Sequence, residues 1–311
     1  LTSLDGIKHL PRLRSLNLAC CTALTGLDGI EALGELEHLE LYHCTALPLQ
    51  SLERLRSLKR LRFLKLGHRD LRALDLLSSL PALETVELYQ CPVLPSLDGM
   101  QHCQELKTVE AAYCAALTDL RALQALPCLT ELTIGWCDSW TDLPLISTLH
   151  GLQSLSMWGR ELADLSLLHD LTRLEVLILS SSRGLTHLDG IQRLPRLQIL
   201  DLDDCPDLKR LDGLEALSRL ELLSLCDCPG LADLTPLQHL TALRTLHLWE
   251  LASLTDLTPL KHLTALEKLD LESCTSQESL DGLQALTALQ ELELTGCTGL
   301  PADLQRKHGP D

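Results

Sequence analysis

Leucines recur along the whole chain at steps of three until one step shortens to two. The stretch from Cys274 to Cys297 carries one full period, with Leu280, Leu283, Leu286, Leu289, Leu292 and Leu294. The shortened step, in the form L-x-x-L-x-L-x-x-C, replaces a three-residue rhythm by alternation, and alternating apolar and polar positions predict a short strand. The unit begins at Leu13 and returns at Leu36, Leu61, Leu83, Leu106 and onward to Leu289, thirteen copies in all; 276 residues over twelve intervals give a mean period of 23. A coil of this size buries little by itself, so its core is completed only by the coils on either side. The pattern therefore predicts an α/β solenoid, a curved horseshoe of about 13 coils. A parallel sheet lines its concave side, and short helical or 3₁₀ turns form its convex side. A fixed period overrides the length prior of about two domains, so residues 1–311 read as one domain. Repeats reach about residue 300, and residues 301–311 read as a C-terminal turn or the start of a following segment. Leu1 falls in mid-coil, which fits a piece of a longer chain.

The segments LTPLQHLTALRTLHL (Leu234 to Leu248) and LTDLTPLKHLTALEKLDL (Leu254 to Leu271) resemble the leucine-rich repeats of the bacterial internalin type. The similarity covers nearly the whole chain. It implies the leucine-rich repeat fold and is weaker guidance to function, because such repeats serve adhesins, receptors, inhibitors and scaffolds alike. The sequence departs from the family pattern by carrying Cys where Asn is usual, and by one added residue after it.

That departure accounts for most of the 13 cysteines. Nine share one repeat position: Cys21, Cys44, Cys91, Cys114, Cys137, Cys205, Cys228, Cys274 and Cys297. Equivalent side chains of stacked coils point the same way about 4.8 Å apart, a poor disulfide geometry. The ladder thus reads as buried free thiols in a reducing, cytoplasmic setting. Two intervals, those starting at Leu61 and Leu152, are one residue short and carry Arg69 and Arg160 at the ladder position. A buried guanidinium is costly, so both are expected to turn out to solvent.

On the convex side, Asp-Gly pairs such as Asp28-Gly29 and Asp189-Gly190 alternate with Thr235-Pro236 and Thr258-Pro259, which predicts turns capped by Asp or Thr. The long interval after Leu36 holds a basic cluster, Arg54, Arg56, Lys59, Arg60, Arg62 and Lys65. It reads either as a solvated convex helix or as a docking surface for an acidic partner or for another domain of the same protein.

Strand alternation sends the third, fifth, seventh and eighth residues of each unit to the concave face. Seven of the eight aromatic residues fall there: Tyr42, Phe63, Tyr89, Tyr113, Trp136, Trp158 and Trp249. Exposed Tyr and Trp are common anchors of protein interfaces, and Tyr89, Tyr113, Trp136 and Trp158 are expected to form one contiguous patch. Toward the C-terminus the same positions turn acidic, with Asp201, Asp203, Asp204, Asp227, Glu250, Asp270 and Glu272. These two groups are the candidate partner-binding residues.

The formal charge of -17 argues against nucleic acid and against an anionic membrane as partner, and no apolar run is long enough to span a bilayer. The acidic stretch DLDDCPD (Asp201 to Asp207) lacks the Gly and closing Glu of a calcium loop; Asp204 or Asp207 would be the ligands of any cation, and no metal or cofactor is expected. Phosphate-loop, dinucleotide, nucleophile-elbow and zinc-protease motifs are absent. Cys226, projecting from the concave strand near His247, is the one conceivable nucleophile, and neighbouring carboxylates would raise its pKa. The chain therefore reads as a non-enzymatic arm that recognises a protein or peptide with a basic surface, within a larger sensor, receptor or effector. The alternative is a constitutive intramolecular scaffold or autoinhibitory domain without an exchangeable ligand.

Overall fold

The computed structural model describes residues 1–301, which form two compact units: Leu1–Leu152, and a second beginning at Gln153. The expected turn or following segment at residues 301–311 lies, apart from its first residue, outside the described residues.

The first unit carries six parallel strands in sequence order: β1 (Ser15–Asn17), β2 (His38–Leu41), β3 (Phe63–Leu66), β4 (Thr85–Tyr89), β5 (Thr108–Ala112) and β6 (Glu131–Gly135). The second carries seven: β7 (Ser154–Trp158), β8 (Val176–Ile178), β9 (Ile199–Asp201), β10 (Leu222–Ser224), β11 (Thr245–His247), β12 (Lys268–Asp270) and β13 (Glu291–Glu293). Register follows the repeat without a slip. Leu16, Leu39, Leu64, Val86, Val109 and Leu132 face one another across the first sheet. Leu155, Leu177, Leu200, Leu223, Leu246, Leu269 and Leu292 do so across the second. Inward leucines such as Leu39 and Leu223 are fully buried, a contribution of about 2 kcal/mol each before entropy is charged. In the edge strands β1 and β13 the corresponding Leu16 and Leu292 are only half covered, as a stack of mutually covering coils requires.

The cysteine ladder lies inside, with Cys91, Cys114, Cys137, Cys205, Cys228 and Cys274 fully buried and Cys21 half covered. Its thiols do more than fill space. Cys44, Cys228, Cys274 and Cys297 donate to the carbonyls of Leu18, Leu202, Leu248 and Leu271 at 3.1, 3.3, 3.0 and 2.9 Å, each reaching the residue just after the strand of the preceding coil. The polar backbone at the end of each strand is thereby bonded to the next coil.

The two short coils differ from the sequence expectation and from each other. In most coils the residue before the ladder is left-handed: Cys20, His43, Gln90, Tyr113, Trp136, Ser181, Asp204, Asp227, Glu250 and Ser273 all have φ between 51° and 60°. The coil from Leu61 omits this residue, so His68 moves into the ladder. It is buried, with Nε2 at 3.0 Å from the Leu47 carbonyl oxygen and Nδ1 accepting the Asp70 amide at 3.1 Å. Arg69 is pushed out to solvent, as expected. The coil from Leu152 keeps the left-handed residue as Gly159 and loses one afterward. Arg160 therefore stays in the ladder and is buried, contrary to the expectation that it turns outward.

The convex side consists of 3₁₀ turns and one four-residue α-helix, Pro144–Ser147. Their caps are not the expected ones. In the Asp-Gly coils the glycine itself occupies the cap with positive φ. Its amide is taken by the side chain two residues on, as Gly190 donates to Gln192 Oε1 at 2.9 Å and Gly213 to Glu215 Oε2 at 2.7 Å. In the Thr-Pro coils a leucine holds the cap position, Leu234 or Leu257, and the aspartate just before it, Asp233 or Asp256, accepts the Thr amide at 2.8 Å.

Candidate functional site

The open face of the first sheet is built by two rows, the seventh and eighth residues of each coil. Tyr42 and Tyr89 are seventh residues of the second and fourth coils. Between them the third coil places Gly67, where a Cβ would lie 2.4 Å from the Tyr89 carbonyl oxygen and 3.0 Å from the Tyr42 Cβ. Only glycine lets the two tyrosines meet across an intervening coil, and their rings touch edge to face with centroids 6.1 Å apart. In the next two coils the pattern inverts. Ala112 and Gly135 are small and buried in the seventh row, and Tyr113 and Trp136 project above them from the left-handed eighth row. Tyr89 meets Tyr113 edge to face at 5.3 Å, and Tyr113 stacks on Trp136 at 6.4 Å and 14°. Four rings thus form a continuous chain. Tyr113 and Trp136 are 46 % and 42 % exposed and are, with Leu1 and Leu10, the large apolar side chains most open to solvent among the described residues.

Beneath the rings runs a charged row. Lys65 lies 5.3 Å from the Tyr42 ring centroid and 2.6 Å from Glu87 Oε2. Burial, then the Glu87 charge, holds the Glu110 carboxyl above the usual range. Phe63 stands apart, stacked on His38 at 4.1 Å. The basic cluster is matched within the chain: Arg54 pairs with Asp28 and Glu31, Arg60 with Glu35, Arg62 with Glu84, and Arg56 bonds Ser79 and the Asp75 carbonyl. Geometry favours the solvated convex surface over the docking site.

In the second unit Trp158 and Trp249 are each half buried. Several acidic candidates there are engaged by their own chain. Asp201 accepts from Ser180 Oγ at 2.8 Å and the Asp203 amide at 3.0 Å, and its burial raises its pKa. Asp203 accepts from Ser224 Oγ at 2.7 Å and the Cys226 amide at 2.8 Å. Asp204 takes Ser181 Oγ, Asp207 the Gly184 amide and Asp270 the Glu272 amide. Asp227, Glu250 and Glu272 are exposed. No cluster among the described residues groups three or more His, Cys, Asp or Glu in a metal-holding arrangement. Cys226, expected to project from the strand, is instead fully buried, its thiol 3.4 Å from Ser224 Oγ and its pKa raised by burial; such a thiol is inert.

One feature escaped the sequence reading. Where the third coil lacks its left-handed residue, a cleft of about 360 Å³ opens, lined by Gly67, His43, Arg69, Tyr89, Tyr113 and Pro92 among others. Its signal was the 22-residue interval starting at Leu61.

No protein-family model matches the sequence, nor does any curated protein. Solved structures do match. The Listeria monocytogenes internalin InlF superposes with a TM-score of 0.68 at 17 % identity, over 93 % of this chain and 89 % of its own. The fold is that of a leucine-rich repeat protein. A leucine-rich repeat protein of Leptospira interrogans is similar at TM-score 0.55 and 19 % identity, over 99 % of this chain and 97 % of its own. The functional domain of Listeria InlJ, described as including a cysteine ladder, is similar at TM-score 0.54 and 23 % identity, over 96 % of this chain and 56 % of its own. Among the described residues no helix is long and apolar enough to cross a membrane.

Proposed function

We propose that this leucine-rich repeat chain is a recognition module that binds a protein or peptide through the ring chain Tyr42–Tyr89–Tyr113–Trp136 on the first unit's sheet. The observation that carries this reading is the placement of Tyr113 and Trp136. Both are more than two-fifths exposed and project above the small, buried Ala112 and Gly135. A core requirement explains neither ring, whereas an interface anchor needs both exposure and a rigid neighbour. In the second unit, Asp227, Glu250 and Glu272 would steer a basic surface of the partner. Asp201, Asp203 and Asp204 serve first to tie the ends of neighbouring strands together. The buried thiol ladder supports a reducing compartment, and a role as the sensing arm of a larger receptor or effector follows from the same reading.

The test is selection of a random 12-residue peptide library, displayed on phage with free carboxyl termini, against the intact chain, followed by fluorescence anisotropy of the enriched peptides on wild type and Trp136→Gly. Loss of affinity by about thirtyfold, the scale of an interface hot spot, is expected. Equal binding to both proteins, or no enrichment, contradicts the reading.

A further inference from the structure

The cleft over Gly67 follows from a deletion in one coil. Neighbouring coils send a side chain outward from the left-handed position, His43 before it and Gln90 after it, and the third coil has no residue there. Gly67 in the seventh row removes the other side chain that would fill the space, so the sheet has a one-coil gap floored by backbone and walled by Tyr89, Tyr113 and Pro92.

The charge around this gap differs from that of the whole chain. In a protein of net charge -17, the cleft is lined by no carboxylate. Arg69 reaches it with a side chain 75 % exposed and one loose contact, 3.5 Å to Asp70, and exposed His43 stands on the opposite side. Of the carboxylates in the row below, Glu87 pairs with Lys65 and Glu40 with His38 at 3.2 Å, and burial holds the Glu110 carboxyl above the usual range. The volume of about 360 Å³ sits at the lower end of the range for small-ligand sites, about 300–1,000 Å³, room for one residue and not for a helix or strand.

We infer that this cleft receives the carboxyl-terminal aromatic residue of a peptide, its ring against Tyr89 and Tyr113 and its terminal carboxylate on the Arg69 guanidinium. This rests on the reading of the first unit's sheet as the recognition face and specifies the chemistry recognised there. Ring contacts supply apolar and edge-to-face stabilisation, and a guanidinium forms short, charge-assisted bonds to a carboxylate, often two at once.

Ligand-observed NMR titrations of the intact chain with four probes test it: acetyl-Gly-Gly-Phe as free acid, the same peptide as amide, acetyl-Asp-Phe-amide and acetyl-Gly-Gly-Lys-amide. The free acid should bind at least about tenfold more tightly than either phenylalanine amide, the size of one charge-assisted contact, and the lysine peptide should not bind. Arg69→Gln, at an exposed position that leaves folding intact, should erase the difference between acid and amide. Thr45→Trp, a plug from the exposed rim, should abolish both. Equal binding of acid and amide overturns the inference, as does equal binding of the Asp-Phe amide, no binding at all, or an acid preference that survives Arg69→Gln. Library peptides that depend on Trp136 with no acid preference would overturn the cleft's chemistry alone. An acid preference that follows Arg69 while library peptides ignore Trp136→Gly would overturn the wider interface reading alone.

Discussion

The left-handed eighth residue of each coil decides what a single substitution can do. At Trp136, φ is 52°; replacing it with glycine removes the steric cost of that conformation while adding freedom to the unfolded chain, and the two terms nearly cancel. Trp136→Gly should therefore keep the unfolding free energy from urea titration within about 1 kcal/mol of wild type, and a large destabilisation would mean that the ring is structural. Asp203 is the opposite case. Its carboxylate holds the amide of buried Cys226, and an orphaned buried donor costs about 1–3 kcal/mol. Asp203→Ala should lower stability by about 2 kcal/mol in the same assay, whereas exposed Asp227→Ala should not. Glu110 has a sign of its own. Its carboxyl is held above the ordinary range by burial and by Glu87. The folded state therefore binds this proton more tightly than the unfolded one, and the stability it lends is complete below the unfolded value and lost as pH rises through the raised one. Glu110→Gln should raise the midpoint at pH 7 and bring no gain at acidic pH, below the usual carboxylate range; a gain independent of pH would contradict the shift.

Strands, ladder and convex turns were legible in the sequence because they follow from leucine spacing, which stacking forces into register. Caps were less so. Asp-Gly reads as an aspartate cap, yet the turn demands positive φ, which selects the glycine and leaves its amide to Gln192 or Glu215. At Gly190, with φ at 106°, an added Cβ would stand 2.7 Å from the Leu165 carbonyl oxygen. Gly190→Ala should destabilise by more than about 1 kcal/mol, read from its thermal midpoint. The short coils mark the same limit. A missing residue is plain in the spacing, but whether it is lost before or after the ladder depends on which backbone tolerates the loss. That choice buries His68 in one coil and Arg160 in the other. The aromatic positions were legible, because alternation assigns a face. Their joining was not, since it depends on Gly67 leaving Tyr42 and Tyr89 nothing in between. The acids were over-read, because spacing cannot reveal that Ser180, Ser224 and backbone amides already occupy them.

Across the molecule, charge and thiols set the conditions under which binding is measured. Asp227, Glu250 and Glu272 add to a net charge of -17, and exposed like charges repel over about 8 Å at physiological salt. Neutralising these three together should slow association of a basic partner and flatten its salt dependence, with little change in dissociation. Native thiol labelling should reach Cys20, the one exposed cysteine among the described residues, well before Cys205, Cys228 or Cys274, the last with its thiol pushed up to about 12 by burial. The first unit's ring chain is the proposed seat of the partner. Chemical-shift mapping of an enriched library peptide on the isotopically labelled chain tests it directly. Perturbations centred on Gly67, Tyr89, Tyr113 and Trp136 are expected. Perturbations confined to the convex 3₁₀ turns, or to the acidic residues of the second unit, would contradict it.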